Sequence, residues 1–264
     1  ARADPRQLLP SARVALVAAA RYADGADDAP SGSGQGRIAR YARGADYHQV
    51  LRTRLYAVVE QLAQFLGETP AHRVCVDSAP LLERELAARA GVGFIGKNTM
   101  LISPGIGAYT LLGVLLLDVE ILPDEPMGPR CGSCDLCLRA CPTQALRAPY
   151  ELDARRCISY ATIEQRGDID TAIADKHGDW VFGCDDCNQV CPFNRPTPES
   201  KGLAADPELG GADEAAFVDL ETLANLRSGE YRRLVRGRAL ARAPRQSFQR
   251  NARIVLANRR REEG

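Results

Sequence analysis

Eight of the nine cysteines have types and spacing suited to redox chemistry. Cys131, Cys134, Cys137 and Cys141 form C-x2-C-x2-C-x3-C before Pro142, and Cys184, Cys187 and Cys191 form C-x2-C-x3-C before Pro192. The first spacing is that of a bacterial [4Fe–4S] site, in which the fourth cysteine ligates the other cluster of a pair. The second run lacks its first cysteine, and Val181 stands at the vacant place. Cys157, within Arg155-Arg156-Cys157-Ile158-Ser159, is the substitute. Two cubanes need eight thiolates, and the two runs plus Cys157 supply them. The expected sets are Cys131, Cys134, Cys137 and Cys191 for one cluster, and Cys184, Cys187, Cys157 and Cys141 for the other. Each crossing cysteine precedes a proline, which suits a first helical turn or a kink leaving the site. Structural zinc is the alternative for C-x2-C pairs, but spacing closed by proline, with no histidine at finger distance, favours clusters. Disulfides fit less well in a chain with no secretory mark. Cys75, in Val74-Cys75-Val76, reads as a buried strand residue.

A second constellation runs from Asp77-Ser78-Ala79-Pro80 to Gly91-Val92-Gly93-Phe94-Ile95-Gly96-Lys97-Asn98. Its glycines permit close backbone approach to a ligand, and Lys97 and Asn98 add a cation and an amide. Asp77 ends a short strand, where open α/β sheets place ligands and catalytic groups. The competing reading makes Asp77 a helix cap and the glycines a structural turn. The turn is neither a phosphate loop, since Asn98 follows Lys97, nor a dinucleotide fingerprint, since it follows a helix.

The elements that must position these residues follow from patterning. Val14–Ala20 reads as a buried strand, 24–36 as a Gly/Ser/Asp loop, and Tyr47–Leu66 as an amphipathic helix with Val50, Leu51, Leu55, Val58, Val59 and Leu62 on one face. Arg73–Val76 is a short strand, Leu81–Ala90 a helix capped from Asp77–Pro80, and Ala108–Leu122 a strand. Residues 123–130 form a linker, and Phe217–Asn258 is helical with a break at Pro244. Hydrophobic content of 45 % and charged content of 26 % are those of a globular protein. No stretch reaches the roughly 18 apolar residues of a membrane span, and the first residues do not form a secretory signal. Net charge is zero, but residues 226–264 hold twelve Arg against three Glu. That basic tail is either a nucleic-acid surface or a solvated helical face.

The chain resembles the epoxyqueuosine reductases. The resemblance is carried by Asp4-Pro5-Arg6-x-Leu8-Leu9-Pro10, Tyr41-Ala42-Arg43-Gly44-x-Asp46-Tyr47-His48 and the run from Val76 through Asn98. It continues through Ser103-Pro104, both cysteine runs, Cys157-Ile158-Ser159-Tyr160-x-Thr162-Ile163-Glu164, and Trp180-Val181-Phe182-Gly183-Cys184-Asp185-Asp186-Cys187. It covers nearly all of residues 4–200. It implies reduction of the epoxide of epoxyqueuosine in a tRNA anticodon loop, using cobalamin fed by two [4Fe–4S] clusters and a low-potential electron donor. Asp77 matches the family's proton donor, a role expected to need a pKa raised by burial. Tyr41, Asp46, His48, Asp77, Lys97, Asn98, Ser103 and Ser159 are the expected cobalamin-lining residues. The base-off signature Asp-x-His-x-x-Gly is not met, because Leu51 stands in the glycine position. This fits a corrin bound without a protein histidine on cobalt.

The expected fold is α+β. Residues 1–125 form an α/β cobalamin- and substrate-binding domain, shortened at its N-terminus relative to the family. Residues 126–200 form a ferredoxin-like two-cluster domain, and residues 201–264 a short, Arg-rich helical region that contacts tRNA through Arg232, Arg233, Arg236, Arg250 and Arg253. A cytoplasmic monomer without membrane contact is expected. A reductive dehalogenase-like corrinoid enzyme and a ferredoxin-type electron carrier are the alternatives.

Overall fold

The computed structural model describes residues 4–24, 32–195, 204–211 and 213–263, so most of the expected 24–36 loop lies outside the described residues. The first sheet joins β1 (Val14–Arg21), β6 (Thr110–Leu117) and β3 (His72–Cys75), in the order β1-β6-β3. Both pairings are antiparallel, with Val14 opposite Leu117 and Cys75 opposite Val114. The open α/β sheet behind the strand-end argument for Asp77 is therefore replaced by an antiparallel one.

β6 is central and apolar after Thr110, and from Gly113 onward it is buried because both its faces are covered. Leu115 and Leu117 face the main core with Val50, Leu51, Leu55 and Val59 of α1 (Tyr47–Leu66). Val114 and Leu116 face the other way, toward Cys75, Leu81 and, on α2 (Glu83–Arg89), Leu86. Gly113 lets α1 approach, since a Cβ there would lie 2.8 Å from Leu55 Cδ1. α1 has strong ends: Asp46 accepts from the His48 N–H at its N-terminus, and Gly67 closes it in the left-handed region. A hairpin of β4 (Phe94–Ile95) and β5 (Leu101–Ile102) forms the Gly-punctuated turn.

The cluster segment is built of short pieces: α3 (Leu136–Ala140), the hairpin β7 (Leu146–Ala148) and β8 (Glu151–Leu152), α4 (Ile158–Ile163), α5 (Thr171–Ala174), β9 (Trp180–Phe182) and α6 (Asp186–Gln189). β9 joins a second sheet, ordered β10-β2-β9, with β2 (Gln35–Ile38) and β10 (Phe217–Asp219). β2 is parallel to β9 and antiparallel to β10. One sheet thus draws strands from all three expected regions.

This sheet ties the C-terminal region to the rest of the fold. After α7 (Pro207–Gly210) and β10 come α8 (Leu220–Ala224), α9 (Ser228–Val235) and α10 (Arg245–Glu263), with a 3-10 turn at Ala239–Arg242. Leu220, Leu223, Leu240, Phe248, Ala252 and Val255 are buried in the same core as Leu51 and Leu117. The break at Pro244 stands, but the region begins with a strand and its apolar face completes the main core. No helix among the described residues is long and apolar enough to cross a membrane.

Candidate functional site

Asp77 follows β3 and sits with φ 55°. A left-handed backbone costs an L-residue about 1 kcal/mol or more, so surrounding contacts must hold it. Tyr47 Oη donates to Asp77 Oδ2 at 2.9 Å, His48 Nε2 lies 3.4 Å from the same oxygen, and the Asp77 N–H donates to Glu83 Oε1 at 2.7 Å. The cap reading of Asp77 does not hold. Leu82 is the N-cap of α2, with no side-chain cap bond, and the Asp77 carboxylate turns to α1 instead.

His48 is gripped on both sides, because its Nδ1 lies 2.7 Å from Asp46 Oδ1. Its pKa is raised, by the bond to Asp77 first and that to Asp46 next, against the cost of burial. Asp77 moves the other way. His48 first, and then Tyr47, hold its carboxyl below the usual carboxylate range although burial opposes them. The expected burial-raised aspartate is thus a carboxylate in this structure, because two donors converge on one of its oxygens. The raised carboxyl is Glu83, pushed up to about 7 mainly by burial.

These residues line a cavity of ≈ 1240 Å³. The lining includes Tyr41, Tyr47, His48 and Asp77, the apolar Pro80, Leu81 and Leu86, and Cys157, Ser159, Tyr160 and Ile163. Arg242 joins Glu164 at 2.7 Å at the rim. The expected lining residues therefore divide. Tyr41, His48, Asp77 and Ser159 reach the cavity, while Asp46 stands behind His48. Lys97, Asn98 and Ser103 do not line it. Lys97 Nζ donates to the carbonyls of Gly132 and Cys134 at 2.7 and 2.8 Å. Asn98 is buried and donates to Asn188 Oδ1 at 3.2 Å. Ser103 is buried in a bridge to Gly107, its hydroxyl without a partner among the described residues. The Gly-rich turn thus braces both cysteine runs: Lys97 holds the first and Asn98 the second.

All nine cysteines are free thiols, and Cys75 is buried in β3 as expected. The other eight fall into two neighbourhoods. The Cys191 thiol is pushed up by burial and then by charge on Cys131, Cys137 and Cys134. Cys187 is pushed up by burial and then, among the thiols, by Cys157, Cys141 and Cys137. Cys184 is raised by burial, with Cys187 among its charged neighbours. Cys137 is a charged neighbour of both Cys191 and Cys187, so the two neighbourhoods adjoin. Among the described residues no three His, Cys, Asp or Glu side chains converge as around a single metal ion. Val181 is fully buried in β9.

The Arg-rich region also divides. Arg232, Arg233 and Arg236 are exposed. Arg250 instead donates to the carbonyls of Ala161, Gln165 and Gly167, and Arg253 to that of Ala224. These two arginines fasten α10 to its neighbours. Two residues of the site carry no sequence signal of their own: Tyr47, whose place on the apolar face of α1 hides its hydroxyl, and Glu83.

Comparison with known proteins points one way. A family described as "Epoxyqueuosine reductase QueG, DUF1730" matches residues 2–78, and a "4Fe-4S double cluster binding domain" matches residues 130–194. The epoxyqueuosine reductase of Alicycliphilus denitrificans is 40 % identical over 84 % of this chain and 60 % of its own length. That of Synechocystis is 38 % identical over 95 % of this chain and 86 % of its own. The chain spans about 60 % of the length of several such relatives. A crystal structure of epoxyqueuosine reductase with an epoxyqueuosine-modified tRNA-Tyr stem loop superposes with a TM-score of 0.87 at 33 % identity, covering 97 % of this chain and 68 % of that one. Another, from Bacillus subtilis, has its catalytic aspartate loop swung out of the active site; it superposes at 0.82 with 33 % identity over 96 % of this chain and 67 % of its own. With sequence likeness to relatives spanned over most of their length and the same fold along nearly all of this chain, the protein belongs to the epoxyqueuosine reductase family.

Proposed function

We propose that this chain reduces the epoxide of epoxyqueuosine in a tRNA anticodon loop, with Asp77 delivering the proton and two [4Fe–4S] clusters and a cobalamin supplying electrons. The observation that carries the reading is that Asp77 and Cys157 line one cavity. A proton-handling group and a cluster ligand then meet at the same substrate, an arrangement that an electron carrier does not need.

A cavity of ≈ 1240 Å³ exceeds the range of about 300–1,000 Å³ usual for small-molecule sites. Its lining mixes apolar side chains such as Leu81, Leu86, Ile95 and Ile163 with charged and polar ones. Its one lining histidine has both ring nitrogens beside carboxylates. These features fit a corrin held without a protein nitrogen on cobalt, with Tyr41, His48, Asp77 and Ser159 against it and Asp46 fixing His48. A cobalt corrin, when bound, would supply low-potential reducing equivalents, and Cys131, Cys134, Cys137 and Cys191, with Cys141, Cys157, Cys184 and Cys187, would hold the two clusters that feed it.

The chain's own residues handle the proton. Tyr47 and His48 converge on Oδ2 of Asp77, leaving Oδ1 without a hydrogen-bond partner among the described residues. As the epoxide C–O bond breaks, negative charge builds on its oxygen. A proton held on the His48–Asp77 pair moves through the carboxyl to that oxygen, and the pKa of His48, raised first by its bond to Asp77, favours its holding that proton. Asp77 is open to the cavity, with Leu81 buried and Leu86 half-buried on the same lining.

The exposed Arg232, Arg233 and Arg236 are the tRNA-backbone contacts in this reading. The cytoplasm, where thiols stay reduced, is its compartment.

The test is mass analysis of tRNA nucleosides after anaerobic incubation with reductant, cobalamin and epoxyqueuosine tRNA. Queuosine should accumulate, and Asp77→Asn should slow it by about 10²- to 10⁴-fold, the usual contribution of a general acid. Unchanged conversion in Asp77→Asn would remove Asp77 from the mechanism. No conversion by the unaltered, cofactor-loaded chain would remove the function.

A further inference from the structure

Glu83 lines the cavity beside Asp77 and has no role in the proton path just described. It opens α2, where an acidic side chain ordinarily serves the exposed N–H groups of its own helix. Here it does something else. Its Oε1 accepts from the N–H of Asp77 at 2.7 Å, six residues back, and so closes the segment 77–82 onto the start of α2. The other hydrogen bonds within this segment are short-range: Ser78 N–H to Val76 O and Leu81 N–H to Ala79 O.

The bond acts on the residue that most needs it. Asp77 has a backbone that L-residues rarely adopt, with φ 55°. That backbone turns its carboxylate toward Tyr47 and His48 on α1, away from the helix it precedes. Two elements therefore hold Asp77 from opposite ends: α1 by the carboxylate and α2 by the amide. Tyr47 and His48 cannot alone define the backbone, because a carboxylate reaches the same donors from more than one φ. The amide bond removes that freedom.

We propose that Glu83 is the positioning residue of Asp77, fixing through the Asp77 N–H the left-handed turn that aims the carboxylate into the cavity. This rests on the reading of Asp77 as the acid, and the test separates the two. Only an acceptor oxygen at this place is required. Glu83→Gln keeps that oxygen without the charge, and Glu83→Ala removes it.

The experiment measures amide hydrogen exchange at Asp77 in the full chain without added cofactor, and kcat and KM for an epoxyqueuosine stem loop with the loaded enzyme. Glu83→Ala should speed Asp77 exchange roughly tenfold, the factor matching one ordinary intramolecular hydrogen bond. It should lower kcat with KM unchanged, while Glu83→Gln restores protection and most of the turnover. Two results would overturn the proposal: exchange unchanged in Glu83→Ala, or Glu83→Gln as impaired in turnover as Glu83→Ala, which would make the proton and not the acceptor essential. Faster exchange with full turnover in Glu83→Ala would also overturn it, since the turn would then aim nothing. Failure of the acid reading shows separately, as full turnover in Asp77→Asn on an otherwise unaltered chain.

Discussion

The phenol of Tyr47 donates to the carboxylate of Asp77 across thirty residues of sequence, at 2.9 Å, and joins the first turn of α1 to the end of β3. The neighbouring His48 reaches the same oxygen, and its ring stacks on that of Tyr47 with centroids 4.0 Å apart. One helical turn thus presents two donors to one carboxylate. This geometry, more than burial, decides the charge of the site.

The His48–Asp77 pair has a pH window that follows from the two shifts. The pKa of His48 is raised in the folded protein, so its contribution to stability is complete below the unfolded value, about 6.5, and is lost as pH rises through the folded value. Asp77 is lowered, so its contribution is present above the unfolded value, about 3.9, and is lost as pH falls through the folded one. Thermal melts of the unaltered chain and of His48→Asn should therefore differ most near pH 5–6 and converge at alkaline pH. A difference that grows with rising pH would contradict the cationic His48.

Cys157→Ala should leave about four irons of the eight in two cubanes and retain one cluster signal in electron paramagnetic resonance. The thiol beside Cys141 and Cys187 is then missing while Cys131, Cys134, Cys137 and Cys191 are untouched. Full iron content in this variant would break the assignment.

Lys97→Met removes two charge-assisted hydrogen bonds to the carbonyls of Gly132 and Cys134. Bonds from charged donors contribute about 1.5–3 kcal/mol each when buried, and partial exposure here puts the loss toward the lower end. The cluster nearest the first cysteine run should bleach faster in air, and cobalamin affinity should stay unchanged. Weakened cobalamin binding with both clusters intact would instead assign Lys97 to the corrin.

Replacing Arg232, Arg233 and Arg236 together by Gln should weaken tRNA binding and flatten its salt dependence. The log–log slope should fall by about 0.7–0.9 for each phosphate no longer neutralised, with melting temperature little changed because these side chains are exposed. Arg250→Gln should do the opposite. It lowers the melting temperature by removing the bonds to Ala161, Gln165 and Gly167, and acts on tRNA only through the fold. A salt slope unchanged in the triple variant would leave α9 as a solvated face.

Much of this was legible in the residues alone where chemistry is written in short spacing or local caps. The cysteine runs mark residues 130–194 as a double-cluster segment, because loop ligands must lie a few residues apart. The ends of α1 follow from Asp46 and Gly67, whose effects act within one turn. Cys75 follows from the apolar run around it.

What the tertiary structure alone decided depends on partners distant in sequence. Asp77 carries a lowered pKa because α1 brings Tyr47 and His48 to it; burial by itself would have raised it. Lys97 and Asn98 look like ligand groups in a glycine-rich turn, yet they brace the two cysteine runs across 35 to 90 residues. Phe217–Asp219 becomes a strand because β2 offers it an edge, and the Arg-rich helices enter the main core because their apolar face has nowhere else to be buried. Composition and periodicity show that such a face exists. Only the packed chain determines which surface receives it, because burial is non-directional and shape selects the partner.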